Sequence, residues 1–486
     1  MPDKTPSSGT TLVWFRRDLR LDDQPALRAA AETGAPVIPV FIWPLAERAG
    51  WTAGAAGQWW LHHSLLSLQA GLRQRGSRLV LRQGEPLPAL LALGRKTGAR
   101  RVHWTRSPDP LAAQAEAETA AALRARGWRV EIFPPHVLFP AETIRTAFGN
   151  PVRVFSAYWK QCLAQPFPSS PLPAPGKWRS PSRWPASDRL EKFELLPRPD
   201  WAGGLRQAWE PGEAAALRAL RRFLRAGLEG YGQARDWPGV DGTSRLSPHL
   251  AWGELSVRRA WEAVHSRPKS RGAAAFLRQL GWREFAHYLL WHFPQTPEQP
   301  LRESFVSFPW VSQPGHLRAW QQGLTGYPFV DAGQRELRAT GWMHNRARMV
   351  AASFLTKHLL IPWQAGARWF WEELVDADLA NNTLGWQWVA GCGADAAPYF
   401  RVFNPSRQGE RFDPLGAYVR RWVPELKRLP DRWLHRPWEA PARVLSDAKV
   451  RLGREYPLPL IPHAAGRARA LAAYQRLRSR KRGGHA

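Results

Sequence analysis

Four short segments in the second half of the chain gather side chains that could hold a cofactor or work on a substrate. Residues 375–388, VDADLANNTLGWQW, place Asp376, Asp378, Asn381, Asn382, Trp386 and Trp388 in an otherwise apolar stretch. Asp378, Asn382 and Trp386 fall at i, i+4 steps, so on a helix they share one face. Carboxylates and amides in such surroundings are costly to bury unless something pairs with them. Arg348, in TGWMHNRARM (340–349), is a candidate partner for Asp376, and Asn345 and Met349 of that segment lie one turn apart. Residues 276–285, FLRQLGWREF, put Gln279 and Trp282 three apart, an amide beside an indole that could grip a flat heterocycle. Core packing is the ordinary explanation of such a pair. In YGQARDWPGVDGTSRLS (231–247), the run from Gly242 to Ser247 collects hydroxyls, backbone donors and a guanidinium at a turn before a helix. Such a nest suits a pyrophosphate, although a plain helix cap would look the same.

These segments need a scaffold, and the chain supplies two kinds. In the N-terminal part, short apolar runs at 11–15, 36–43, 77–82, 101–105 and 128–133 read as buried strands. Helical spacing at 57–76, 86–97 and 110–126 lies between them. Strands alternating with helices predict an α/β domain with a five-stranded parallel, Rossmann-like sheet over 11–136. Neither GxGxxG nor GxxxxGK[ST] follows any strand. Residues 137–205 turn to Pro, Ser and Trp, which predicts a linker lying across another domain. From 206 to 476 the pattern is helical throughout, with helices expected near 211–228, 256–265, 272–291, 314–323, 331–339, 341–358, 365–376 and 414–422. A frayed basic tail is expected over 477–486.

Composition narrows the partners. Lys plus Arg number 69 against 40 Asp plus Glu, a net charge of +29, which favours a polyanion through phosphate contacts and counterion release. An evenly basic surface is the plainer reading of charge alone. There are 28 Trp and only 8 Tyr, and indole both stacks on bases and carries electrons. Two cysteines, Cys162 and Cys392, exclude a disulfide framework and a cysteine-built metal site. No metal is expected. The N-terminus lacks the apolar stretch of a signal peptide and no run of about 18 apolar residues occurs, so a cytoplasmic protein without a membrane span is expected. A monomer is the default.

Residues 325–355 (TGYPFVDAGQRELRATGWMHNRARMVAASFL), with LVDADLANNTLGWQW and DAAPYFRVFNP (395–405), closely resemble the flavin-binding core of the photolyase/cryptochrome family. VWFRRDLRLDDQPAL (13–27) resembles the start of that family's α/β domain, and the likeness runs from about 11 to 462. Within the family the chain resembles the microbial class I enzymes acting on cyclobutane pyrimidine dimers. The resemblance implies an FAD, active in its reduced form, held in an all-α C-terminal domain. Tyr231, Thr243, Ser244, Leu246 and Ser247 would surround its phosphates, and Phe276 would lie near the cofactor. Arg348 and Asp376 would pair beside the ring, Asp378 would bond to ring or ribose, and Asn382 would face flavin N5. Trp386, Trp363 and Trp310 match the family's electron relay, although their spacing alone marks them only as core. Trp282 and Trp388 match the walls against which a flipped-out lesion packs. Asn345 and Met349 match contacts to that lesion, and Arg235, Arg346 and Arg401 match positions facing DNA phosphates. The implied function is light-dependent repair of UV-damaged DNA, a carbon–carbon lyase reaction driven by electron transfer from excited reduced FAD.

Three positions depart from the pattern. Gln279 stands where dimer-specific members carry Glu, which also brings members acting on (6-4) photoproducts into view. Those members carry histidines where this chain has Asn345 and Met349, so the dimer remains the favoured lesion. Phe276 replaces a tryptophan. Leu111 and Ala112 replace the Asn-Glu pair that holds a folate, so a folate antenna is not expected, while a deazaflavin, a second flavin or an empty pocket stay open. The rival readings are a cryptochrome photoreceptor and a colourless nucleic-acid-binding protein. Only a short tail follows Pro462, and the intact lesion-facing set favours repair.

Overall fold

The computed structural model describes residues 9–44, 51–166, 168–395 and 400–483. Five parallel strands, β1 (Thr11–Phe15), β2 (Val37–Trp43), β3 (Val80–Gln83), β4 (Arg101–Thr105) and β5 (Arg129–Phe133), form one sheet in the order β3-β2-β1-β4-β5. Alternate side chains of β1 enter two different cores. Leu12 and Trp14 pack with Val102, Trp104, Leu90 and Leu123 under the Pro86–Thr97 and Pro110–Arg124 helices. Val13 and Phe15 pack with Trp59, Trp60 and Leu65 of the Ala55–Arg73 helix, and with Trp252 and Val375 from the helical half. Burial on both faces explains why β1 and β2 are unbroken apolar runs. β5 departs from the buried strand expected there: it lies at the edge, and only Val130 and Phe133 are even partly sheltered. The opposite edge is covered. Leu81 N–H donates to Ser187 Oγ (2.9 Å) and Gln83 N–H to Asp188 Oδ2 (2.9 Å), so part of the Pro-rich stretch closes β3.

The order reverses between β1 and β4, and a doubly wound sheet opens a crevice at the carboxyl ends of strands flanking such a reversal. Arg16, Arg17 and Arg106 follow those ends. Beside them lies a cavity of about 870 Å³, walled by both halves of the chain, including Trp43, Leu111, Ala112, Trp252, His287, Trp371 and Asp378.

The helical half is built on the Arg271–His292 helix, which packs against Leu379–Ala390. Pro328–Thr340, Asn345–Ser353 and Trp363–Glu373 complete the surroundings of the site. The expected helices are present in shifted form, with irregular turns at Phe223–Gly227 and Phe354–His358. Leu379–Ala390 and Pro405–Phe412 are helices beyond those expected. The C-terminal helix runs His463–Gly483, so most of the segment expected to fray continues it. Cys162 and Cys392 are buried in separate clusters. No helix among the described residues is long and apolar enough to cross a membrane.

The two halves are latched by the opening motif. Asp23, fully buried, accepts from Arg258 Nε (3.1 Å) and Nη2 (2.5 Å), from Ser256 Oγ and from Leu172 N–H (3.0 Å). Asp22 takes the Arg259 fork at 2.8 and 2.7 Å, and Arg20 donates to Gly253 O at 2.9 Å. Bidentate pairs of this kind fix orientation as well as distance.

Candidate functional site

Asp378 is the N-cap of Leu379–Ala390, accepting from Asn381 N–H at 2.9 Å and Asn381 Nδ2 at 2.6 Å. Its other oxygen lies 3.6 Å from His287 Nε2. Burial drives the carboxyl upward, but His287, Arg283, the Asn381 N–H and Arg17 more than offset it, and its pKa falls below the ordinary value. Burial lowers the His287 pKa to about 4 against the pull of Asp378, so the imidazole is neutral near pH 7. Both His287 nitrogens are buried without a protein partner. One turn after the cap, Asn382 donates from Nδ2 to Ala367 O (3.0 Å), which turns its amide oxygen away from that helix.

Arg348 holds Asp376 through Nη2, at 3.1 and 2.8 Å, and its Nε donates to Met343 O at 2.7 Å. The pairing expected from the sequence is therefore present, with the Asp376 side chain only 4% exposed. Glu336 supports the same corner: it accepts from His344 N–H (3.0 Å) and Tyr418 Oη (2.6 Å), which fixes the start of the Asn345–Ser353 helix. Asn345 and Met349 meet across one turn, Nδ2 to Sδ at 3.7 Å.

In the turn 241–246, Arg245 takes a positive φ of 53° and Leu246 N–H reaches Ser244 Oγ at 3.4 Å. The Arg245 guanidinium lies over Trp342, 4.6 Å from the ring centroid. Thr243 and Ser244 are half-buried and Ser247 accepts from Trp342 Nε1 at 3.3 Å. Leu246 and Tyr231 are buried, and Phe276 packs edge-on against Tyr231 at 5.6 Å.

Trp310, Trp363 and Trp386 lie on or near the Trp363–Glu373 helix. A Cβ on Gly366 would stand 2.0 Å from the Trp386 ring, so the missing side chain lets Trp386 lie against Trp363–Glu373. Val311 N–H donates to Leu360 O (2.8 Å), which brings Trp310 beside the loop leading into Trp363. Trp363 and Trp386 are 1% and 2% exposed and Trp310 is half-buried, an ordering from interior to surface. Trp386 Nε1 is buried without a partner.

Gln279, Trp282 and Trp388 are half-buried. Arg346 forks onto Asp236 (3.1 and 2.8 Å), and Arg235 approaches the same carboxylate at 3.5 Å. The sequence reading missed Asp236, which holds the two arginines in place and removes part of their charge. Arg401 is exposed beside Phe403. Arg17, Arg283 and His287 were also missed as site residues. Arg17 comes from the opening motif, where it donates to Ala377 O at 3.2 Å and lies over Trp252. Only the RRDLR doublet hinted at it.

Comparison with known proteins gives this arrangement its family. Residues 276–476 match the model described as the FAD binding domain of DNA photolyase, and residues 11–176 match that described as DNA photolyase. The deoxyribodipyrimidine photo-lyase of Agrobacterium fabrum is 45% identical over 95% of this chain and 97% of its own. Cryptochrome-1 of Arabidopsis thaliana is 38% identical over 94% of this chain and 68% of its own. A crystal structure of a bacterial class III photolyase from Agrobacterium tumefaciens superposes with a TM-score of 0.94 at 45% identity, covering 97% of this chain and 98% of that one. The chain belongs to the photolyase/cryptochrome family of flavoproteins. The class I placement drawn from the sequence is not supported by these relatives, since the structure at 45% identity is described as class III.

The residues present fit an FAD. The Asn382 amide oxygen left by its bond to Ala367, the Arg348–Asp376 pair and the hydroxyls of Thr243, Ser244 and Ser247 are donors and acceptors of the kind a flavin and its phosphates need.

Proposed function

We propose that this chain repairs cyclobutane pyrimidine dimers in DNA under light, as a photolyase of the class III kind. The observation that carries the reading is the Arg348–Asp376 pair, in a region matched by the FAD binding domain of DNA photolyase, in a chain whose Trp282, Trp388, Asn345 and Met349 match the family's lesion-facing set. Bound and reduced, FAD supplies an electron to the lesion on absorbing light and takes it back once the cyclobutane ring has opened. Every other role falls to the protein. Arg348 and Asp376 orient the cofactor, and Asn382 offers a neutral amide that neither gives nor takes a proton. Trp282 and Trp388 stack on the extruded bases and exclude water, and a damaged pair costs less to flip than an intact one. Gln279 donates to a pyrimidine carbonyl and accepts from N3–H. Arg235, Arg346 and Arg401 contact phosphates and set register without reading sequence. Trp310, Trp363 and Trp386 carry electrons inward when the flavin must be reduced.

The 870 Å³ cavity at the junction is the place for a second, light-gathering chromophore. Leu111 and Ala112 lie on its wall with their N–H groups taken by Asp109 Oδ1, so they offer a folate no polar side chain.

The test is repair of a thymine-dimer oligonucleotide by the purified, reduced protein in blue light and in darkness. Restoration only in light is the expected result. A flavin-bearing protein that photoreduces but leaves the dimer intact moves the reading to a cryptochrome, the class of the Arabidopsis relative, or to a (6-4) lesion.

A further inference from the structure

Trp282 and Trp388 stand on different helices, and a short chain of contacts outside the flavin corner ties one to the other. Phe155 lies flat on Trp282, with ring centroids 3.7 Å apart and planes 7° apart. Trp159 and the Arg278 guanidinium flank Phe155 at 6.2 and 5.2 Å, so the ring has little freedom to slide. Phe155 is also the first residue of the Phe155–Leu163 helix, whose N-cap, Val154, has no side chain able to receive the helix's free N–H groups. Asp395 supplies the missing acceptor from a distant loop. Its Oδ1 accepts from Phe155 N–H at 3.1 Å, and its own N–H donates to Arg153 O at 2.9 Å. The carbonyl of the same residue accepts from Trp388 Nε1 at 3.1 Å. Asp395 adopts a φ of 50°, a left-handed conformation that Asp tolerates better than most residues. That turn lets one residue present its N–H and carboxylate to segment 153–155 and its carbonyl to Trp388.

We infer that Asp395 and Phe155 are positioning residues that fix the separation and tilt of the two aromatic walls, and so the discrimination between damaged and intact DNA. The inference rests on the reading of Trp282 and Trp388 as those walls. A slot for two fused pyrimidines must hold its width to roughly 0.5 Å, and one helix pair cannot do this for indoles at its rim without support from behind. Phe155 supports one indole by its face and Asp395 holds the other by its N–H, with a single hydrogen bond joining the two supports.

The test compares Asp395→Gly, which keeps the left-handed backbone but removes the acceptor, with Asp395→Asn, which keeps an acceptor oxygen. Phe155→Leu and Phe155→Tyr form a second pair should either Asp395 variant fail to fold. For each holoprotein, affinity is measured for the same oligonucleotide with and without a thymine dimer at fixed salt, alongside flavin content and photoreduction rate. Asp395→Gly and Phe155→Leu should reduce the preference for the dimer by about tenfold or more, the scale on which loss of positioning acts. Affinity for intact DNA, flavin content and photoreduction should stay at wild-type levels, and Asp395→Asn and Phe155→Tyr should restore the preference. An unchanged preference in Asp395→Gly and Phe155→Leu overturns the inference, as does an equal loss of both affinities together with flavin. A wild-type protein with no preference for the dimer overturns instead the reading on which it rests.

Discussion

The flavin corner and the domain junction solve the problem of holding polar groups in a largely apolar interior in opposite ways. At the corner the charges are satisfied within neighbouring helices: Arg348 reaches Asp376 across 28 residues, and Asp378 caps its own helix. At the junction the partners are remote, with Arg258 binding Asp23 across 235 residues and Arg17 bonding Ala377 O across 360. The junction borders a wide cavity with Arg16 paired to Glu116 and Arg17 stacked on Trp252 and Trp371. The corner suits a cofactor that must be oriented, and the junction suits a chromophore that need only be enclosed.

Variants that damage one region and spare the other sharpen this contrast. The largest effect should come from Trp386→Phe, which breaks the relay next to the flavin. It should all but abolish light-driven reduction of the flavin, while repair by chemically reduced protein survives. Continued photoreduction at the wild-type rate would remove Trp386 from the relay. Next is Asp376→Ala, which leaves the half-buried Arg348 without its carboxylate. Because Arg348 keeps some contact with water, the cost should fall below the about 3–5 kcal/mol of a fully buried pair, yet flavin should be lost on purification and the urea midpoint should fall. Full flavin retention would show that the pair does not hold the cofactor.

A smaller effect is expected from pH, and it reaches both regions. Burial lowers His136, at the junction, and His287, His344 and His435, in the helical half, to about 4 from an ordinary 6.5. Each is neutral in the fold and takes up a proton on unfolding between those values. Their contribution to stability is therefore complete above about pH 6.5 and is lost as pH falls toward 4. Thermal melts should show a steady decline through that window, and a flat melting temperature between pH 6.5 and 4.5 would contradict the burial of these imidazoles. The smallest effect is expected from Gln279→Glu, a modest gain in lesion affinity and repair quantum yield. Unchanged values would mean that the amide is no handicap.

The same contrast explains what could be read from the residues alone. The corner was legible because its parts lie in contiguous motifs with helical spacing: Asn382 and Trp386 both meet the Trp363–Glu373 helix, Asp378 caps theirs, and Arg348 does meet Asp376. The sheet was legible because β1 and β2 are buried on both sides, whereas β5, an edge strand, carries apolar residues that its solvent-facing position does not require. Asp236, Arg17 and Asp395 were not legible. Their roles depend on contacts between segments far apart in sequence, and nothing in the spacing of DW, RRD or GADA reports such a contact. The proposed relay was invisible to periodicity for the same reason: Trp386 reaches the Trp363–Glu373 helix only because Gly366 carries no side chain.

The most direct measurement is an action spectrum: dimer repair per photon across the near-ultraviolet and blue, for reduced protein with bound lesion DNA. Repair that follows the absorption of the reduced flavin, with any extra band removed by filling the junction cavity through Ala112→Phe, is the predicted result. Repair that proceeds in darkness, or whose wavelength dependence ignores the flavin, would contradict the account.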